Sequence, residues 1–154
     1  MAQNLERAPK LIPLDDESEI EEKNIKGRAA RYYPKTGELF INMLYPALDI
    51  MREQLEREYA HAPDIDIMKR LALSHARNSM IQRVGLAVVF ALAKRLNKEW
   101  DEDAMAKALE PESLSLAADN HFESLQDARR AMGKALKLRR TDGDSENDSA
   151  AAAA

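Results

Sequence analysis

DIDIMKRLALSHARNSMIQRVGLAVVFALAKRL, residues Asp64 to Leu96, is the stretch on which the fold turns. Asp64 or Asp66 suits the capping position of a helix, because a short carboxylate there accepts from the free amides of the first turn. Ile67, Leu71, Leu73, Ala76 and Met80 then recur at helical spacing, so the first part reads as an amphipathic helix. From Val84 to Ala93 the sequence is apolar on all sides. Such a segment lies at the centre of a bundle or inside an oligomer interface. Its ten residues are about half of what a membrane-spanning helix needs. Gly85 permits close helix approach, at a propensity cost of about 1 kcal/mol.

Downstream of this helix, Asp101 suits the cap of a short helix carrying Ala104, Met105, Ala108 and Leu109. Pro111 opens another, with Leu114, Leu116 and Ala117 as its apolar face. A last helix runs from Phe122 to about Arg139, with Phe122, Leu125, Ala128, Met132 and Leu136 inward. Upstream, Pro46 at a first helical position opens a helix to about Ala60 through Leu48, Met51, Leu55 and Tyr59. Before it, Arg31-Tyr32-Tyr33 and Glu38-Leu39-Phe40-Ile41-Asn42 flank a turn containing Gly37, the pattern of a β-hairpin over residues 31–44. Pro34 confines the first strand to an edge or an end. A lone hairpin is marginal in water, so this one must lie on helices or pair with another sheet.

Residues 1–24 contain Pro9, Pro13 and an acidic run from Asp15 to Glu22, with few apolar side chains to offset the entropy of ordering. They read as a disordered acidic arm, with a short helix over 18–26 if a partner surface supports it. Residues 141–154, acidic and ending in five alanines, read as a disordered tail. The expectation is therefore a mainly α protein: a small helical bundle around a long central helix, one N-terminal hairpin, and a single domain over 25–140.

The net charge of −4 hides an asymmetry. Residues 1–22 hold seven acids and two bases and residues 141–154 four acids and no base, whereas residues 23–140 hold sixteen acids and 21 bases. A basic folded part between acidic ends is compatible with a screened polyanion surface, or simply with charged, soluble tails. The absence of cysteine excludes disulfides, thiolate metal sites and cysteine nucleophiles. With no signal-peptide pattern at the start, it points to a cytoplasmic protein.

Catalytic motifs are missing. The five glycines are too dispersed for a phosphate-cradling loop, and His61, His75 and His121 each lack a second ligand at helical metal spacing. No cofactor and no metal are expected. His75, Asn78, Ser79 and Gln82 form a polar strip on the long helix that either lines a ligand pocket or faces water. Arg129, Arg130, Lys134 and Lys137 are candidate phosphate contacts, three of them on one helical face, although cations also suit a helix C-terminus.

Lys26-Gly27-Arg28-Ala29-Ala30-Arg31-Tyr32 with the Gly37–Asn42 half of the hairpin, and Trp100-Asp101-Glu102-Asp103 with Ala108-Leu109, resemble a region of certain bacterial proteins. It is the region that follows the ATPase domain in proteins of the GHKL class, the histidine-kinase, gyrase and heat-shock type of ATP-binding fold. The resemblance spans residues 20–120. The family holds its nucleotide with an asparagine-bearing helix and glycine-rich lid motifs, and nothing in this sequence matches them. The resemblance thus implies an accessory or partner-binding module that does not itself bind ATP.

The leading expectation is a noncatalytic module that binds a protein partner or itself, with no membrane association. Phe40 on the hairpin and Val84, Val88, Phe90 and Leu92 on the central helix are its expected contacts. The alternative is a nucleic-acid-associated regulator using the basic last helix.

Overall fold

The computed structural model describes residues 8–136. Among them the order is β1 (Lys10–Leu14), α1 (Glu17–Glu22), β2 (Ala30–Tyr33), β3 (Glu38–Asn42), α2 (Pro46–Glu58), α3 (Ile65–Leu96), α4 (Glu102–Ala108) and α5 (Pro111–Asp119). A final helix, α6, occupies 122–136. The chain is mainly α, built on the 32-residue α3, as its sequence predicts.

The helix starts follow from local chemistry. Asp64 accepts from the amide of Ile67, and Asp101 from that of Ala104, so each satisfies one free donor of its helix. Pro46 and Pro111 open α2 and α5, where a missing N–H costs nothing.

Residues 10–22 correct the expectation of a disordered arm over 1–24, of which residues 1–7 lie outside the described residues. β1 pairs in parallel with β3, and β2 pairs with β3 antiparallel, giving a three-stranded sheet of order β1-β3-β2. The hairpin is real, but its edge is covered by the chain's own N-terminal segment. Pro13 is tolerated for a geometric reason. The Lys10 amide donates to Gly37 O and the Met43 amide to Leu14 O, so Lys10, Ile12 and Leu14 bond toward β3. Pro13 falls between them, where its missing donor faces outward.

β3 is covered on both faces and so carries the continuous apolar run Leu39-Phe40-Ile41. Leu39 and Ile41 enter the main core with Met51, Leu55, Met80, Val84, Val88, Leu114 and Met132. Phe40 points the other way, into a second core with Leu14, Ile20 and Ile25 beneath α1. Asp15 joins β1 to α1 and is clamped by Arg77 of α3 through two bonds, of 2.6 and 3.2 Å.

Two turns of packing depart from expectation. Leu116 and Phe122, read as inward, are exposed, and Ser115 and Ala118 join the expected Leu114 on the buried face of α5. Residues 137–154, which include Lys137 and the expected tail, lie outside the described residues.

Candidate interaction surface

An α-helix turns 100° per residue, so one long helix can bury a stripe and leave another open. On α3 the buried stripe is Met68, Ala72, Ala76, Met80, Val84, Val88, Ala91 and Leu92. Leu86, Val89, Phe90, Ala93 and Leu96 fall at i, i+3, i+4, i+7 and i+10 on the opposite side, and all five are exposed. The segment Val84–Ala93 is therefore not enclosed on all sides, as its composition suggests; half of it meets the core and half meets solvent. Leu86 and Phe90 are 63% and 55% exposed, far more than a residue packed inside a bundle retains.

The open stripe has a defined setting. The Trp100 ring meets that of Phe90 edge to face at 5.7 Å, and Lys94 Nζ lies 5.2 Å from the Phe90 ring centre. Lys94 also pairs with Glu99 at 3.3 Å, and Arg95 with Glu102 at 3.9 Å, so the cations beside the stripe have partners in their own chain. At the N-terminal end of the stripe Leu11 of β1 lies against α3. A methyl group built at Gly85 would sit 3.5 Å from its Cδ2.

Of the five expected contacts, only Phe90 belongs to this surface. Val84, Val88 and Leu92 are core residues, and Phe40 is enclosed by α1 and stacked edge to face on Tyr33 at 5.5 Å. A side chain without solvent exposure cannot meet a partner in the folded state. The spacing of Leu86, Val89 and Leu96 is in the sequence, but Val84–Ala93 reads as apolar on all sides and Leu96 lies beyond it, so none of the three is singled out as a contact.

The polar strip does line a groove. His75, Asn78, Ser79 and Gln82 face Ser124 and Asp127 of α6 across a space of about 160 Å³. Ser79 is buried, and its Oγ accepts from Arg83 Nη1 at 2.6 Å. Arg83 also donates twice to Ala118 O, at 3.1 and 2.8 Å, fastening the end of α5 to α3. Burial pushes its guanidinium down to about 10, and the nearby Asp119 carboxylate opposes that shift. A second, larger cleft of about 390 Å³ lies between β2 and α4, bounded by Tyr32, Pro34, Glu102, Asp103, Met105 and Leu109.

The basic helix is partly neutralised within the chain. Arg129 Nε approaches Glu58 Oε1 of α2 to 2.7 Å as a charge contact without hydrogen-bond alignment, and Arg130 binds Asp127 at 2.7 Å. Arg130 and Lys134 face solvent. Among the described residues no three His, Asp or Glu side chains gather as a metal-binding group, and no helix is long and apolar enough to cross a membrane.

No family model, curated protein or solved structure matches this chain.

Proposed function

We propose that this chain is a noncatalytic helical module that binds a protein surface through the open face of α3. The setting that its family resemblance implies is that of an accessory to an ATP-binding protein. The observation that carries this reading is the stripe Leu86, Val89, Phe90 and Leu96, four large apolar side chains in line on a rigid helix and open to solvent. A contiguous apolar patch on a soluble protein is a recurrent mark of an interaction site.

The test places a photo-crosslinking side chain at position 86 of the full chain, and at position 69 as a control, in extract of the native cell. Position 86 should give discrete adducts absent from position 69; equal adducts at both would overturn the assignment. Titration with ATP should give no binding heat, and a measurable affinity would remove the accessory-module reading.

The second reading is nucleic-acid association through α6, favoured by the solvent-facing Arg130 and Lys134. Its test is DNA or RNA binding at low salt that falls steeply as salt is added and weakens on charge reversal at both positions. The ion pairs of Arg129 and Arg130 inside the chain support the first reading over it.

A further inference from the structure

We propose that the occupant of the α3 face is a second copy of this chain, packed α3 against α3 in antiparallel orientation about a two-fold axis that passes the open face midway between Val89 and Ala93. This rests on the functional reading above and goes further by naming the partner.

A two-fold interface requires that if residue i meets residue j, then j meets i. The stripe satisfies this through its spacing. Leu86, Val89, Ala93 and Leu96 are separated by three, four and three residues, so a half-turn about position 91 brings Leu86 onto Leu96 and Val89 onto Ala93 of the other copy. Sizes match as well as positions. Leucine meets leucine at both ends, and the smallest residue of the stripe meets valine near the middle, leaving room beside Ala93 for the Phe90 ring of the second copy. Alternating three- and four-residue steps are those of helices packed side by side at a shallow angle. Leu11, lying over Gly85, extends the seam where Leu96 of the second copy arrives.

Size selects the orientation. A parallel pair would set Ala93 on Ala93 and leave a gap between the helices there, whereas the antiparallel pair sets Val89 on Ala93 at both crossings. Lys94 and Arg95 lie more than a quarter turn around the helix from the centre of the stripe and pair with Glu99 and Glu102 of their own chain.

The area sets the strength. Leu86, Val89, Phe90, Leu96 and Leu11 are 63%, 43%, 55%, 45% and 44% exposed. With Ala93 they offer roughly 500 Å² per copy, or about 1,000 Å² across the pair, the lower end of specific interfaces. An interface of this size is that of a weak, reversible dimer.

The experiment uses the full chain. Light scattering or sedimentation from about 1 to 300 µM should show a monomer–dimer equilibrium. Emission of Trp100, the only tryptophan, should shift with it because its ring lies on Phe90. Leu86→Asp with Phe90→Asp should be monomeric throughout with an unchanged circular dichroism spectrum, both positions being exposed. A dimer that survives this pair of changes would overturn the proposal. The chain has no cysteine, so register is read directly. An oxidised mixture of Leu86→Cys and Leu96→Cys chains should give the 86–96 hybrid in large excess over either like-with-like disulfide. Dominant 86–86 and 96–96 products would overturn the antiparallel arrangement. A chain monomeric at every concentration would overturn the second copy as occupant, whereas the functional reading fails only if the crosslinking test gives position 86 no adduct beyond those of position 69.

Discussion

At the scale of the residue, the chain places polar atoms where backbone ends need them. Asn42, almost fully buried, donates to Ile25 O at 3.2 Å and Arg28 O at 3.0 Å and accepts from the Leu44 amide at 2.8 Å. It thereby fastens the loop after α1 to the end of β3. Asn42→Ala removes three hydrogen bonds, one of them buried, and should cost about 1 to 3 kcal/mol, read as a lower urea midpoint with an unchanged slope. Lys98 shows the opposite situation, a residue poorly suited to its conformation. It follows the cap of α3 with φ of 61°, while the Lys98 and Glu99 amides bond back to Arg95 O and Lys94 O. This is the helix-ending turn that glycine favours, since a side chain in the left-handed region is strained. Lys98→Gly should raise stability by about 0.5 to 1 kcal/mol, seen as a higher thermal midpoint. Lower stability would mean that the lysine side chain contributes more than its backbone costs.

At the scale of the element, helices were far more legible in sequence than the sheet. Asp64, Asp101, Pro46 and Pro111 announce their helices because a cap or a first-turn proline acts within one turn of chain. The hairpin was legible for the same reason, being closed by a short turn with Gly37 at φ of 72°. β1 was not, because its ladder joins Leu11 to Leu39 and Ile12 to Phe40, a pairing that no local pattern reports. Its prolines and the acids beside it pointed to disorder, and the compensating contacts lie elsewhere in the chain. The open face of α3 was half legible: its spacing is visible, but which side faces solvent depends on where the sheet and the other helices pack. The clamp between Asp15 and Arg77 holds β1 and α1 against α3, and the guanidinium bonds keep the Asp15 carboxyl below its usual range. A carboxyl with a lowered folded-state pKa contributes stability that is fully present above its unfolded pKa and is lost as pH falls through the folded one. Asp15→Asn should therefore cost up to about 1 kcal/mol at neutral pH, a modest figure because the carboxylate is largely exposed. The difference from the parent should begin to shrink as pH falls below about 4 and should close once pH has passed through the lowered folded-state pKa. A gap as large at about pH 2 as at pH 7 in paired denaturation curves would show that the charge is not its source.

At the scale of the whole molecule, the decisive question is whether the N-terminal segment is an appendage or part of the body. The sheet has its most buried strand, β3, in the middle, and that strand has two covered edges only because β1 supplies one of them. Leu14 is buried in the second core beside Ile20, Ile25 and Phe40, and Ile12 packs on its border. Removing residues 1–14 would withdraw both side chains and leave Phe40 facing solvent on one side. It would also free a row of backbone donors and acceptors along β3. Lost burial of Leu14 and of the half-buried Ile12 alone amounts to roughly 2 to 4 kcal/mol, a large fraction of the stability of a domain this size. The truncated chain should unfold at a markedly lower urea concentration. It should also aggregate more readily at equal concentration, because a bare central strand edge is a template for pairing with another chain. An acidic arm would behave otherwise: its removal would leave the urea midpoint in place. The same truncation also separates two routes to association. Assembly through α3 depends on Leu86, Val89, Phe90 and Leu96, all retained after the deletion, so soluble truncated chains should still dimerise, weakened by the loss of Leu11. Aggregation through the bared edge of β3 should instead be insensitive to Leu86→Asp and Phe90→Asp. Finding both kinds of association abolished by those two substitutions would mean that the edge of β3 is not exposed, and that the N-terminal strand is not what covers it.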